Sequence, residues 1–158
     1  MGVYAVTSYD GLAKEVLHRL KFERARAAAD DIAGILATRC TGAKQTFVTH
    51  VPTADKRVRQ RGYDQAALIA QALARRLDLP YSPLLARIGD ERQLGQQRTV
   101  RTEQLQGAFR PLHTTSLPKA HILLVDDVLT TGATCEAAAR TLRAAGASRV
   151  SAAVFAVA

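Results

Sequence analysis

The sequence predicts an α/β domain built on a parallel twisted sheet with helices on both faces. Three observations lead there. Apolar, strand-like runs alternate with helix-length stretches, the pattern of strands joined through helices into a parallel sheet. The run Ile122-Leu123-Leu124-Val125 is continuously apolar, as expected of a strand covered on both sides. A second such run, Val150 to Val157, follows after one more helix-length interval.

A chain of 158 residues suits one domain over 1–158, long enough to bury a single core. No internal repeat and no second domain is visible. With 47% hydrophobic and 23% charged residues, the composition is that of an ordinary globular protein. The formal charge of +8 favours polyanionic ligands without choosing among nucleotides, diphosphates, nucleic acid or an acidic membrane surface. Cys40 and Cys135 lie far apart, and His18, His50, His113 and His121 are scattered, so no clustered metal-ligand set is expected. The two cysteines read as small buried hydrophobes. The start MGVYAVTSYD does not have the pattern expected of a signal peptide, and Val6 stands where a myristoylation motif needs Ser or Thr. No apolar run is long enough to span a bilayer. The expectation is a cytoplasmic protein with no membrane insertion.

In chain order, residues 11–38 are expected to be helical, first with Leu12, Val16 and Leu20 at four-residue spacing. After the basic segment Lys21 to Arg26, Ile32, Ile35 and Leu36 continue the pattern. Thr46 to Val51 reads as a strand closed by Pro52. A helix follows from the N-cap candidate Asp64, with Ile69, Leu73 and Leu77 on one face, ending before Pro80. Residues 86–106 are dense in Arg and Gln and bury little, so a mobile loop around 87–106 is expected, with order returning at Gly107-Ala108-Phe109. A turn-rich link from Pro111 to Pro118 leads to the strand 122–125. A helix from about Thr134 to Ala145 stops at Gly146, a natural C′ residue, before the last strand.

The chemistry concentrates between Val125 and Thr134. Ligands of open parallel sheets sit at the carboxyl ends of the strands, where Asp126 and Asp127 fall. Thr130-Thr131-Gly132-Ala133-Thr134 then opens a helix, whose first N–H groups are unpaired and whose dipole is positive there. Gly132 allows a tight turn and close approach of the backbone, and the threonine hydroxyls add donors. Together these form a cradle for a phosphate dianion. Carboxylates beside a phosphate are best explained as acceptors for a vicinal diol, so the combination fits a ribose 5-phosphate. A Walker B strand also ends in acids, but the chain has no GxxxxGK[ST] loop. A receiver domain opens with a strand and paired Asp, yet only the 31 residues from Val128 to Ala158 follow here. The bland alternative is that the pair caps a helix or faces solvent.

The run ILLVDDVLTTGAT resembles the motif by which type I phosphoribosyltransferases bind phosphoribosyl pyrophosphate (PRPP). The resemblance implies that Asp126 and Asp127 hold the ribose hydroxyls and that Thr130, Thr131, Gly132, Ala133 and Thr134 hold the 5-phosphate. Leu20-Lys21-Phe22, Val51-Pro52, Arg61-Gly62-Tyr63-Asp64-Gln65 and the later run with Gln93, Arg98, Arg101 and Gly107-Ala108-Phe109 resemble the ComF family of phosphoribosyltransferase-like proteins. That likeness covers nearly the whole chain in order. Many members begin with a cysteine-rich zinc segment that this chain does not carry, and Gln104 stands where the family pattern has Asn.

By the same resemblance, Thr53-Ala54-Asp55 occupies the place of the pyrophosphate loop, with Lys56, Arg57, Arg59 and Arg61 just after it. The bland reading of that run is a solvated charged turn. Arg98 and Arg101 fall where related transferases close a loop over the substrate and add positive charge at the leaving group; the alternative is a polar loop without a chemical role. The implied reaction displaces pyrophosphate from C1 of PRPP by a nitrogen acceptor that the sequence does not identify. Mg2+ is expected to arrive bound to PRPP, with no dedicated protein metal site. The rival expectation is a non-catalytic accessory protein in DNA uptake, with single-stranded DNA or competence proteins as partners. The +8 charge suits DNA, whereas 5% aromatic residues and no Trp give little for base stacking. A homodimer stays open.

Overall fold

The computed structural model of the protein describes residues 1–22, 25–40, 47–88, 107–112 and 119–158. Along the chain run β1 (Gly2–Ser8), α1 (Gly11–Phe22), α2 (Ala25–Arg39), β2 (Phe47–His50), α3 (Asp55–Arg61) and α4 (Gln65–Leu77). They are followed by β3 (Leu85–Arg87), β4 (Phe109–Pro111), β5 (His121–Leu129), α5 (Ala133–Ala144) and β6 (Arg149–Val157). The main sheet has the order β1-β6-β5-β2 with every pair parallel. Tyr81 adds a single parallel bridge to Val48 on the outer side of β2. β3 and β4 form a separate antiparallel pair.

Helices cover both faces, as the continuous apolar runs require. On one face α1, α2 and α4 bury Leu17, Ile32, Leu36, Ile69 and Leu73 against Leu123, Val125 and Phe155. On the other, α5 and the β3–β4 pair bury Cys135, Ala138, Leu142, Leu84, Leu85 and Phe109 against Ile122, Leu124 and Val150. Alternate residues of β5 therefore serve the two cores, the period-2 geometry of a strand. Both cysteines are free and buried, and burial raises the Cys40 thiol to about 11. Among the described residues, no helix is long and apolar enough to cross a membrane.

Several elements differ from the expectations. The N-terminal segment is strand β1, pairing with β6 from Gly2 to Ser8. Of the expected row, Leu12 is 79% exposed and Val16 is half-buried against the core, while Ala13 and Leu17 are the fully buried positions of α1. Ile35 of the second expected stripe also stands outward, while Ile32 and Leu36 are buried. The charged run after Pro52 is not a turn but helix α3, which has no fully buried side chain. Arg87, at the edge of the expected loop, belongs to β3, and Ile88 N–H donates to the Ala108 carbonyl at 2.9 Å. Residues 89–106 and 113–118 lie outside the described residues, as do Gln93, Arg98, Arg101 and Gln104.

Candidate functional site

β5 and β2 end at different heights, and the difference makes the crevice. The last pair between them is His50 with Val125, followed by a 2.9 Å bond from Val51 N–H to the Val125 carbonyl. β5 was expected to stop at Val125, but it runs on to Leu129 because β6 continues beside it, pairing Asp126 with Val154 and Leu129 with Val157. Asp126 and Asp127 thus lie within a strand that has lost its neighbour on one side. The 53–61 segment leaves from β2 at that level. This is the position, outside the carboxyl end of the sheet, where open α/β sheets receive ligands.

The two carboxylates are adjacent, half-buried and tied back to the main chain. Asp126 Oδ1 accepts the Asp127 N–H at 2.8 Å, and Asp127 Oδ1 accepts the Val128 N–H at 2.8 Å. Asp126 Oδ2 faces the Cys135 thiol at 3.6 Å. Burial pushes the Asp126 carboxyl well above the usual carboxylate range, and the charge of Asp127 pushes it further. The Asp127 N–H and the Cys135 thiol pull the other way. Burial, then the charge of Asp126, raises the Cys135 thiol in turn, so it stays protonated. A carboxyl held in this state can accept from hydroxyls or face a cation once ionised. Hard divalent cations favour such oxygens. Among the described residues there is no group of three or more His, Cys, Asp and Glu side chains that could hold a metal ion.

Downstream, Thr130 and Thr131 are exposed and lead to Gly132, the N-cap of α5. Gly132 has φ +76, a conformation costly to residues with a Cβ, and no side chain caps the helix from that position. The Thr131 hydroxyl approaches the Ala133 N–H at 3.4 Å, at the long limit of a hydrogen bond. Asp126, Asp127 and 130–134 are thus brought together by one strand, one turn and one helix start.

The second element is the segment from Thr53 to Asp64. Asp55 opens α3, whose Lys56, Arg57 and Arg59 are exposed and whose Arg61 is half-buried. Gly62, at φ +78, ends the helix. Asp64 caps α4 as expected: its Oδ1 accepts the Ala67 N–H at 3.2 Å. The same carboxylate also accepts the Thr53 N–H at 2.8 Å and the Thr53 hydroxyl at 3.1 Å, contacts that span eleven residues of chain and no local pattern announces. Behind it, His50 Nε2 lies 3.9 Å from Asp64 Oδ2, and His50 Nδ1 is 3.0 Å from the Tyr81 hydroxyl. Burial lowers the His50 imidazole below its ordinary value, opposed by Asp64, while burial raises the Tyr81 phenol. Gln65, the first residue of α4, is 2% exposed, and its amide nitrogen has no hydrogen-bond partner among the described residues.

Residues 64–157 match the Phosphoribosyl transferase domain family, more than half of the chain. The chain is 31% identical to Competence protein ComFC of Bacillus subtilis over 87% of its length and 56% of the relative's. It is 30% identical to Competence protein F of Haemophilus influenzae, covering 85% of the chain and 63% of the relative. With DNA utilization protein YhgH of Salmonella typhimurium it shares 31% identity over 92% of the chain and 67% of the relative. The chain thus spans about three-fifths of the length of the first two relatives. Among solved structures, the fold matches glutamine PRPP amidotransferase from B. subtilis at TM-score 0.64 and 20% identity, over 88% of this chain and 30% of that one. Adenine phosphoribosyltransferase from Thermoanaerobacter pseudethanolicus matches at TM-score 0.52 and 17% identity, over 82% and 81%. A parallel sheet with helices on both faces, the Asp-Asp strand end and the relatives agree: the chain belongs to the phosphoribosyl transferase domain family, among its ComF-type members.

Proposed function

We propose that the protein binds Mg2+-PRPP in the crevice beside β5 and transfers the phosphoribosyl group to a nitrogen acceptor, releasing pyrophosphate. The observation that carries this reading is the adjacent Asp126–Asp127 pair at the open edge of β5, followed directly by the Gly132 turn into α5. The carboxylates would accept from the 2- and 3-hydroxyls of the ribose. Thr130, Thr131, Gly132, Ala133 and Thr134 would hold the 5-phosphate at the positive end of α5. Thr53, Ala54 and Asp55 would receive the pyrophosphate with Lys56, Arg57 and Arg61 nearby. Arg98 and Arg101, carried on the segment between β3 and β4, would add charge at the leaving group. A bound Mg2+ would offset the charge of the diphosphate and bring it to the ribose hydroxyls.

In the reaction the C1–oxygen bond to pyrophosphate breaks and a C1–nitrogen bond forms, the nitrogen losing a proton. Positive charge develops on the ribose ring and negative charge on the leaving group, so positioning and electrostatics are the levers available to the protein. Asp126 and Asp127 orient the ring from its hydroxyl side, and the cations of α3 stabilise the departing diphosphate.

A second reading is favoured by the names of the relatives, a competence protein and a DNA utilization protein. In it the chain keeps a PRPP or nucleotide site and serves DNA uptake without turnover, with single-stranded DNA or competence proteins as partners. One experiment separates the two: incubate the protein with Mg2+-PRPP and a panel of nitrogenous bases, and follow pyrophosphate. Base-dependent release above the hydrolysis background supports transfer. PRPP bound without release under any base supports the accessory role.

A further inference from the structure

We propose that Asp64 is a positioning residue for pyrophosphate, clasping the base of α3 so that Thr53–Asp55 and the α3 cations are presented to the crevice. This deepens the proposed PRPP site and rests on that reading. α3 has no fully buried side chain, only the half-buried Val58 and Arg61, so packing alone anchors it weakly. What holds it is its base. Thr53 precedes it and Asp64 follows it, joined by the 2.8 Å bond from the Thr53 N–H and the 3.1 Å bond from the Thr53 hydroxyl. These bonds close the intervening chain into a loop, and a flexible loop with unpinned ends recovers conformational freedom.

The clasp is itself anchored on two sides. Through the Ala67 N–H, Asp64 is fixed to the start of α4, a helix packed in the core. Through His50, buried at the end of β2 and bonded to Tyr81, it is backed by the sheet. The Tyr81 and His50 rings stack with centroids 5.9 Å apart, which holds the imidazole in place. Hydrogen bonds to a charged acceptor in a partly buried site are the stronger ones, so the carboxylate is suited to hold the loop. The local sequence explains only the cap at Ala67; the bonds to Thr53 have no role in α4.

The test separates the cap from the clasp. Asp64→Ser keeps a hydroxyl that can cap Ala67 but is too short to take both bonds from Thr53. Magnesium pyrophosphate and ribose 5-phosphate are titrated separately into wild type, Asp64→Ser and Tyr81→Phe, with folding checked by circular dichroism. For Asp64→Ser we expect pyrophosphate affinity to fall about tenfold or more and ribose 5-phosphate affinity to change by less than about twofold. Tyr81→Phe should show the same split with a loss of roughly twofold to threefold. A purely structural role would weaken both ligands together. Equal weakening, or unchanged pyrophosphate affinity in folded Asp64→Ser, overturns the clasp. If Asp64→Ser does not fold, unchanged pyrophosphate affinity in Tyr81→Phe overturns it. Wild type binding neither ligand overturns the PRPP reading instead.

Discussion

Replacing Asp126 by Asn should make the protein more stable while disabling the site. The carboxyl is pushed up first by burial and then by Asp127, so the folded chain binds its proton more tightly than the unfolded chain does. Between the unfolded and folded pKa values the folded state holds more protons, and unfolding free energy falls as pH rises through that window. At neutral pH the folded state therefore carries a penalty, which grows by about 1.4 kcal/mol for each tenfold gain in proton affinity. Asn retains an oxygen for the 2.8 Å bond from the Asp127 N–H and removes the charge. The expected result is a rise in Tm of about 3 to 5 °C per tenfold of elevation for a chain of this size. The rise should be present at pH 7, shrink as pH falls, and vanish only below about pH 3, where the carboxyl is protonated in both states. Thermal unfolding of both proteins across that range is the assay. A Tm that is equal or lower in Asp126→Asn at pH 7 would refute the claim that the protein sacrifices stability to keep this carboxylate.

Three further outcomes are expected. Mg2+-PRPP affinity should strengthen as pH rises through the elevated Asp126 value, and calorimetry in buffers of different ionisation enthalpy should register proton release on binding; a flat profile with no release would count against Asp126 as a ligand. Gly132→Ala should cost roughly 1–2 kcal/mol, because the added Cβ meets only Leu129 Cδ1 at 3.9 Å and the expense is the φ of +76 alone; a chemical-denaturation difference near zero would show that the turn relaxes freely. Gln65→Leu removes a buried amide nitrogen that has no partner among the described residues, and should be neutral or stabilising by up to about 3 kcal/mol, whereas a clear loss of Tm would mean that the amide is already satisfied.

How much of this could be read in the chain depends on whether the signal is local. The run from Ile122 through Val157 was legible because each step has its own signature: a continuous apolar strand, two acids, a Thr/Gly turn and a second apolar strand. Asp64 was legible as a cap because capping is decided within four residues. α3 was not, since Val58 is its one large apolar residue and no face is buried to leave a period. β3 and β4 are three residues each and pair across the intervening chain, so neither carries enough pattern alone. β1 carries β-branched and aromatic residues, Val3-Tyr4-Ala5-Val6-Thr7, but as a half-buried edge strand it shows no apolar alternation that would mark it. Within the site, residue identities were visible while their states were not. The protonation of Asp126 depends on burial by distant elements, and the tie from Thr53 to Asp64 on how the chain folds back.

Isothermal titration of Mg2+-PRPP into the wild type, Asp127→Asn and Gly132→Val tests the central claim most directly. The expected result is saturable binding by wild type that both folded variants abolish or weaken at least about tenfold. A folded wild type that takes up no PRPP, or folded variants that bind it as tightly as wild type, would contradict the assignment of the crevice beside β5.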